Sequence, residues 1–418
     1  MLALLSKSFL WCRRADALSI KLWRAKHIAS TAHTPGKLQY SHPLKNSQQN
    51  SFLAMSTKDS ASSMPQKKTD TATISPLASA AISQIEERIG RDEGGRGMRC
   101  LVVPGDLHRA AETLARLGEK KHVVVLSGFP CRVDDDPPTE TDGPPGTLAI
   151  ARAVVGLGHS ATIVTDECNE KVFRAACRDI GAWAESSVAS PPPLVLEAYP
   201  SEEQMTEDDR TRMNRLAIRN GGCDLVIACE RAGPAEDGHC YTMGGIDMNV
   251  KGLIAPLHEI VEQPSASEEK DENSVQFIGV GDGGNELGMG KVVDLVRNNI
   301  RNGRKIAAVT PADCLVAASV SNWGGYALGA AAAIVRYDDQ VNGRQDVDAN
   351  ASMDLKGWIE QCVPTEQDEI ELLDRCVKAG CRDGVSGKVE STVDGMPLET
   401  SMKCLRDIRL AALGMESS

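Results

Sequence analysis

The chain has 418 residues and a formal charge of −12, with 41% hydrophobic and 25% charged residues, which is the balance of a soluble globular protein. No apolar run reaches the roughly 18–20 residues needed to cross a bilayer, so no membrane association is expected. The acidic balance argues against general nucleic-acid binding, which relies on basic patches. Thirteen cysteines without a C-x-x-C pair read as reduced thiols, several of them (Cys100, Cys223, Cys229) in apolar runs where thiols pack as small hydrophobes.

Residues 1–57 differ from the rest: eight Lys/Arg stand against the single acid Asp16, among many Ser, Thr and Ala. That composition predicts a transit peptide, with Leu4, Leu5, Leu10, Trp11, Leu18, Leu22 and Trp23 on an apolar face opposite Arg13, Arg14 and Lys21. A mitochondrial (matrix) address is the first expectation and a plastid one the alternative. A tail with no address and a cytosolic form starting at Met55 are the others. Residues 58–74 read as linker, and residues 75–418 as one globular domain.

Globular structure is expected from a helix opened by Ser75-Pro76, with Leu77, Ala81, Ile82, Ile85 and Ile89 on its apolar face. Lys121–Ser127 predicts a strand, followed by an acidic loop holding Glu140 and Asp142. Gly143-Pro144-Pro145-Gly146 opens a helix to Leu157. Ala161–Thr165, Leu194–Glu197 and Asp224–Cys229 predict further strands, with a polar helix over Ser201–Asn220. Pro264–Asn273 reads as a surface insertion, Val275–Val280 as a buried strand and Lys291–Val296 as a helix. Lys305–Val309 predicts another strand. Ser321–Tyr326 starts an alanine-rich helix over Ala327–Val335, Asp338–Ala351 reads as loop, and helices are expected around Gln367–Lys378 and from about Leu398. Regular β/α alternation implies an α/β fold: a mostly parallel sheet flanked by helices, a Rossmann-like three-layer architecture.

The most informative stretch is Gly279–Gly290, with six glycines in twelve residues and Asp282, Asn285 and Glu286 between them. Gly279-x-Gly281-x-x-Gly284 formally matches a dinucleotide fingerprint, but Asp282 would oppose a pyrophosphate and the acidic residue expected about twenty positions on is missing. The phosphate-loop pattern also fails, because Asn285 and Val292 stand at positions needing Gly and Ser/Thr. No nucleotide cofactor is expected. Carboxylates mixed with backbone N–H groups suit a divalent cation, Mn²⁺ or Mg²⁺, or a substrate amine. Acidic residues recur just past the expected strand ends: Glu140 and Asp142, Asp166 and Glu167, Glu230 beside Arg231, then Asp282 and Glu286. In a parallel sheet those ends share one edge, so these groups can converge on one cleft.

Four segments taken together (Glu230–Met248, Gly279–Val292, Ser321–Leu328 and Asp383–Gly395) resemble the C-terminal domain of the D-glutamate cyclase family, and the resemblance covers roughly Ser75–Leu413. It implies an α/β fold and conversion of D-glutamate to 5-oxo-D-proline and water. The longer animal enzymes are mitochondrial, and archaeal relatives look like metal-binding proteins. The longer cyclases also carry a preceding domain resembling a hydro-lyase, for which no counterpart is read here. For such a cyclisation Asp142, Asp282 and Glu286 are the expected metal ligands, and Glu230 or Glu140 the general base. Arg231 is expected to bind the substrate α-carboxylate, the N–H groups of Gly283 and Gly284 to stabilise the developing oxyanion, and Asn285 to bind substrate. Lys291 is read as either screening charge in the site or a solvated helix lysine, and His239 as either structural or catalytic. A metal-dependent hydrolase of a phosphate ester or lactam, and a non-catalytic metabolite-binding domain, are the alternative readings. The expected partner is a small molecule, D-glutamate or a related acid, and a homo-oligomer is compatible with the sequence.

Overall fold

Alternating apolar residues with an inward and an outward member build the sheet. In the computed structural model, which describes residues 73–178, 194–262, 275–344 and 353–415, Val123 and Val125 enter one core while Val124 and Leu126 enter another on the opposite face. The six strands are β1 (His122–Gly128), β2 (Ser160–Asp166), β3 (Leu194–Tyr199), β4 (Leu225–Arg231), β5 (Phe277–Gly281) and β6 (Cys314–Ala317). All neighbours pair in parallel, in the order β3-β2-β1-β4-β5-β6. The winding direction reverses between β1 and β4. In doubly wound sheets that reversal opens a crevice at the carboxyl ends of the strands.

One face carries most of the helical layer: α1 (Pro76–Ile89), α2 (Asp106–Ala115), α3 (Pro144–Gly156) and α4 (Glu170–Ala176) contribute Ile82, Leu107, Ile150 and Phe173 to a common core. The other face is covered by shorter pieces, α5 (Glu207–Asn214), α6 (Val293–Asn299) and the single turn α7 (Gly303–Ile306). At the centre of the first layer lies α8 (Ser321–Val341), whose alanines and glycines are buried from Ser321 to Val335. α9 (Leu355–Cys362), α10 (Glu366–Lys378) and α11 (Leu398–Ala412) complete that layer. Small side chains let the helices approach closely: a Cβ on Gly325 would stand 2.4 Å from the Gly146 carbonyl oxygen of α3. Burying each Leu, Ile or Phe of this core stabilises by about 1.5–3 kcal/mol.

Several expectations need correction. Lys305–Val309 is not a strand: α7 takes its first residues, and Ala308 and Val309 donate to the loop carbonyls of Gly284 and Pro234 instead. The edge strand is β6, pinned because the Asp313 carboxylate accepts the N–H groups of Gln276 and Phe277 at 2.9 Å, while Asp106 accepts that of Leu315. The polar helix over Ser201–Asn220 is broken into α5 and two flanking 3-10 turns. A Thr206–Asp209 capping box starts α5, and left-handed Gly221 ends the last turn. α8 continues to Val341, past the expected loop start, because Asp338 and Asp339 are buried against Arg344 and Arg116. α2, α4 and α9 were not anticipated. Cys100 is exposed rather than packed. The presequence, most of the linker, the Pro264–Asn273 insertion and residues 345–352 lie outside the described residues. Among those described, no helix is long and apolar enough to cross a membrane.

Candidate active site

Two helix starts meet at the crevice and hold each other in place. The Asp142 carboxylate, just before α3, accepts the N–H groups of Ser321 and Asn322 at 2.9 Å and so caps α8. In return the Asn322 side-chain oxygen accepts the N–H groups of Gly143 and Gly146 at 2.9 and 2.8 Å, at the start of α3. A carboxylate among helix N-terminal donors is stabilised by hydrogen bonds and by the helix dipole.

β4 delivers the next group. Its Glu230 is buried at the strand end and takes φ of +43°, a left-handed conformation that costs a non-glycine residue on the order of 1–3 kcal/mol. The carboxyl receives a short hydrogen bond from the Ser321 hydroxyl. Past β5 the chain turns so tightly that Glu286 folds back on its own loop, accepting the N–H groups of Gly283 and Gly284, each at 2.7 Å, and of Asp282 at 3.3 Å. Gly284 has φ of +99°, and a Cβ there would lie 2.5 Å from Val296, so this turn admits only glycine.

Two further residues reach the cluster from distant segments. Arg96, ahead of the first strand, bonds to Asp282 and to Asp394, the latter at 2.9 Å. Asp394, just before α11, has φ of +54° and a side chain only 5% exposed. Six carboxyl groups (Glu140, Asp142, Glu230, Asp282, Glu286, Asp394) thus lie in one cluster, and two of them, Asp282 and Asp394, bond to the Arg96 guanidinium. Oxygens of Asp142, Asp282 and Asp394 lie within 4.8 Å of one another, and so do those of Glu230, Asp282 and Glu286.

Burial and mutual repulsion govern these acids. Burial, then repulsion from Asp394, raises Asp142 to about 7, against the lowering effect of the α8 amides. Glu140 and Glu230 are pushed well above the usual carboxylate range, first by burial. Asp394 and Asp142 then act on Glu140, and Asp282, Glu286 and Asp142 on Glu230. Asp282 and Asp394 are raised in the same way, with Arg96 opposing. Burial opposes the charge on Arg96, yet Asp282, Asp394 and Asp142 hold its pKa above the ordinary guanidinium value. Burial and mutual repulsion thus favour the protonated form of several of these acids, as sites that move protons require. Its donors are all hard oxygens, the set that suits Mg²⁺ or Mn²⁺.

The structure brings together Glu140, Asp142, Glu230, Asp282 and Glu286, with Gly283 and Gly284 beneath them. It does not bring Arg231 into the cluster. That side chain is 1% exposed, bonded to Asp166 and to the carbonyl oxygens of Gly128 and Ala255, so it holds the sheet edge rather than facing a ligand. The N–H groups of Gly283 and Gly284 are taken by Glu286, and they sit well ahead of α6 rather than at a helix start. Asn285 donates its amide to the Tyr241 carbonyl. Lys291 pairs with Asp106, and His239 with Asp247 at an exposed edge. Asp394, Arg96, Ser321 and Asn322 were not singled out from the sequence as site residues. Asp394 lies in the Asp383–Gly395 motif, which was the one available signal for it.

A doubly wound α/β domain with a buried carboxylate site at its topological switch point is the class that this fold and geometry define. Residues 85–409 match the family model described as D-glutamate cyclase-like, C-terminal, and the chain belongs to that family. It is 33% identical over 332 residues to the human protein named "D-glutamate cyclase, mitochondrial". The match covers 78% of this chain and 50% of the relative, so the chain spans about half that protein's length.

Proposed function

We propose that this chain is a D-glutamate cyclase-like lyase that closes D-glutamate to 5-oxo-D-proline with loss of water. The observation that carries the reading is the gathering of six carboxyl groups and one guanidinium at the switch point of a chain in this family. Cyclisation joins the α-nitrogen to the carbon of the γ-carboxyl group and breaks one of that carbon's bonds to oxygen. Two protons leave nitrogen and two arrive on the departing oxygen, so the site must move protons without consuming any. Glu230 and Glu140 are suited to that transfer. Burial and acidic neighbours favour their protonated form, so one can donate to the departing oxygen and recover a proton from the ammonium. Ser321, hydrogen-bonded to Glu230, orients that carboxyl. Asp142, Asp282 and Asp394, or Glu230, Asp282 and Glu286, would hold a divalent metal. When bound, such an ion polarises the γ-carboxylate and offsets its charge. Binding both ends of one substrate in a folded pose supplies much of the remaining rate. Arg231 acts only by fixing the strand end that carries Glu230. A matrix address for residues 1–57 fits the relative's printed name.

The test incubates the full chain with D-glutamate or L-glutamate, with and without Mn²⁺ or Mg²⁺, and quantifies 5-oxoproline by chiral chromatography. Product from the D isomer supports the reading. Phosphate release from generic esters without 5-oxoproline would transfer the site to metal-dependent hydrolysis, which the same oxygen donors can serve. Saturable binding of D-glutamate without product would make it a binding domain, a reading that the half-length match to the relative keeps in view.

A further inference from the structure

Arg96 occupies the space that a cation on the first carboxylate triad would need. Its Nη2 alone bonds to Asp282 and Asp394 and donates to the Ser319 carbonyl at 3.0 Å. Its Nε is buried without a hydrogen-bond partner. Among the described residues it is the one cation paired with the cluster. Two of the three oxygen-bearing groups that could grip a metal, Asp282 and Asp394, are therefore already bridged by positive charge.

We propose that Arg96 is a built-in counter-ion that competes with a divalent metal for Asp282 and Asp394, so that loading the triad displaces its guanidinium. The inference rests on the metal-binding part of the function proposed above. Removing two carboxylates from water without a cation between them is strongly unfavourable, and Arg96 supplies that cation when no metal does. A metal ion and Nη2 cannot both lie within bonding distance of the same inward-facing oxygens. The surrounding chain allows the exchange. Arg96 sits between Gly95 (φ +62°) and Gly97 (φ +86°), a Cβ at Gly95 would meet nothing within 4 Å, and the side chain is 24% exposed. Its backbone stays anchored meanwhile, because Asp92 accepts the N–H groups of Arg96 and Gly97 at 2.9 and 2.8 Å. Once released, the guanidinium carries a free fork of donors beside the site, the geometry that grips a carboxylate. The second triad shares only Asp282 with Arg96, so this competition belongs to the first.

The test measures Mn²⁺ binding to metal-stripped full-length wild type, Arg96→Ala and Arg96→Lys by calorimetry. Arg96→Ala should bind at least about tenfold more tightly than wild type, equivalent to about 1.4 kcal/mol. Arg96→Lys, which keeps the charge, should stay close to wild type. Millimolar guanidinium, filling the space left by Arg96→Ala, should weaken Mn²⁺ binding in that variant and not in wild type. Equal or weaker binding by Arg96→Ala overturns the proposal, as does absence of Mn²⁺ binding in every protein. Should Arg96→Ala not fold, labelling of the Arg96 guanidinium by phenylglyoxal in wild type decides: faster labelling on adding Mn²⁺ supports displacement, and unchanged labelling overturns it. Turnover does not enter these readouts. Competition without 5-oxoproline would keep this inference and sink the catalytic one, and product with unaltered Mn²⁺ affinity would do the reverse.

Discussion

Two arginines reach the same edge of the sheet and meet opposite environments. Arg231 is enclosed, with one carboxylate partner, Asp166, which also accepts the Ala255 N–H at 2.8 Å and the Asn169 amide at 3.0 Å. Charge there is balanced one for one, and although the Arg231 Nε has no hydrogen-bond partner, both its terminal nitrogens are bonded. Arg96 is partly exposed and faces several carboxyl groups whose pKa is raised first by burial and then by one another. A buried charge in balance fixes a fold, whereas a buried excess of one sign requires a proton or a cation to complete it. That excess is the reason the second region is proposed as the chemical one.

The largest expected effect comes from removing the acid common to both triads. Asp282→Asn should lower kcat/KM for cyclisation by ~10³ or more, as losing a group that places transition-state charge does, while its melting temperature holds or rises because repulsion is relieved. A folded Asp282→Asn with near wild-type turnover would break the contrast. Arg231→Met should act through the fold instead. Leaving Asp166 buried and unpaired costs about 3–5 kcal/mol, measured by denaturant unfolding, with activity per folded molecule changed only severalfold. If activity vanished while stability stayed intact, the two arginines would have to exchange roles.

A third buried acid sharpens the comparison, because it lies outside the carboxylate cluster and its hydrogen-bond partner is a neutral tyrosine. Glu369 accepts a hydrogen bond from the Tyr326 hydroxyl at 2.9 Å, and burial raises it to about 8. Its folded pKa lies above its unfolded value, so the neutral form favours the fold at acid pH. That stability is lost as pH rises through the range up to about 8. Glu369→Gln should therefore gain on wild type across that range, by at most about 1.4 kcal/mol per pH unit, with no gain below pH ~4.5. Thermal melts of both proteins at several pH values check the sign. The smallest effect belongs to His239, whose ring is exposed and pairs with Asp247 at 2.6 Å. His239→Asn should shift stability by no more than about 0.5 kcal/mol and leave turnover unchanged in the cyclisation assay.

The sheet was legible because its strands are short apolar runs bounded by turn residues, and the carboxylates were legible because parallel strands end on one edge. Glu140, Asp142, Glu230, Asp282 and Glu286 follow from that rule alone. Arg96 and Asp394 do not, since neither follows a strand and only the fold joins segments so far apart. Arg231 obeys the rule and still misled, because its partner Asp166 obeys it too and the two satisfy each other. The error at Lys305–Val309 has a similar origin. Two apolar runs lie close in sequence, and the choice between them depends on Asp313 reaching the amides of Gln276 and Phe277, a contact that no periodicity reveals.

The capping of α8 by Asp142 has a practical consequence. The amides of Ser321 and Asn322 hydrogen-bond to an oxygen pair that belongs to the carboxylate cluster, so anything drawing that carboxylate away must loosen the first turn of the longest helix. Exchange of those two amides with deuterated solvent is therefore a local gauge of what the cluster holds, readable without substrate, product or turnover.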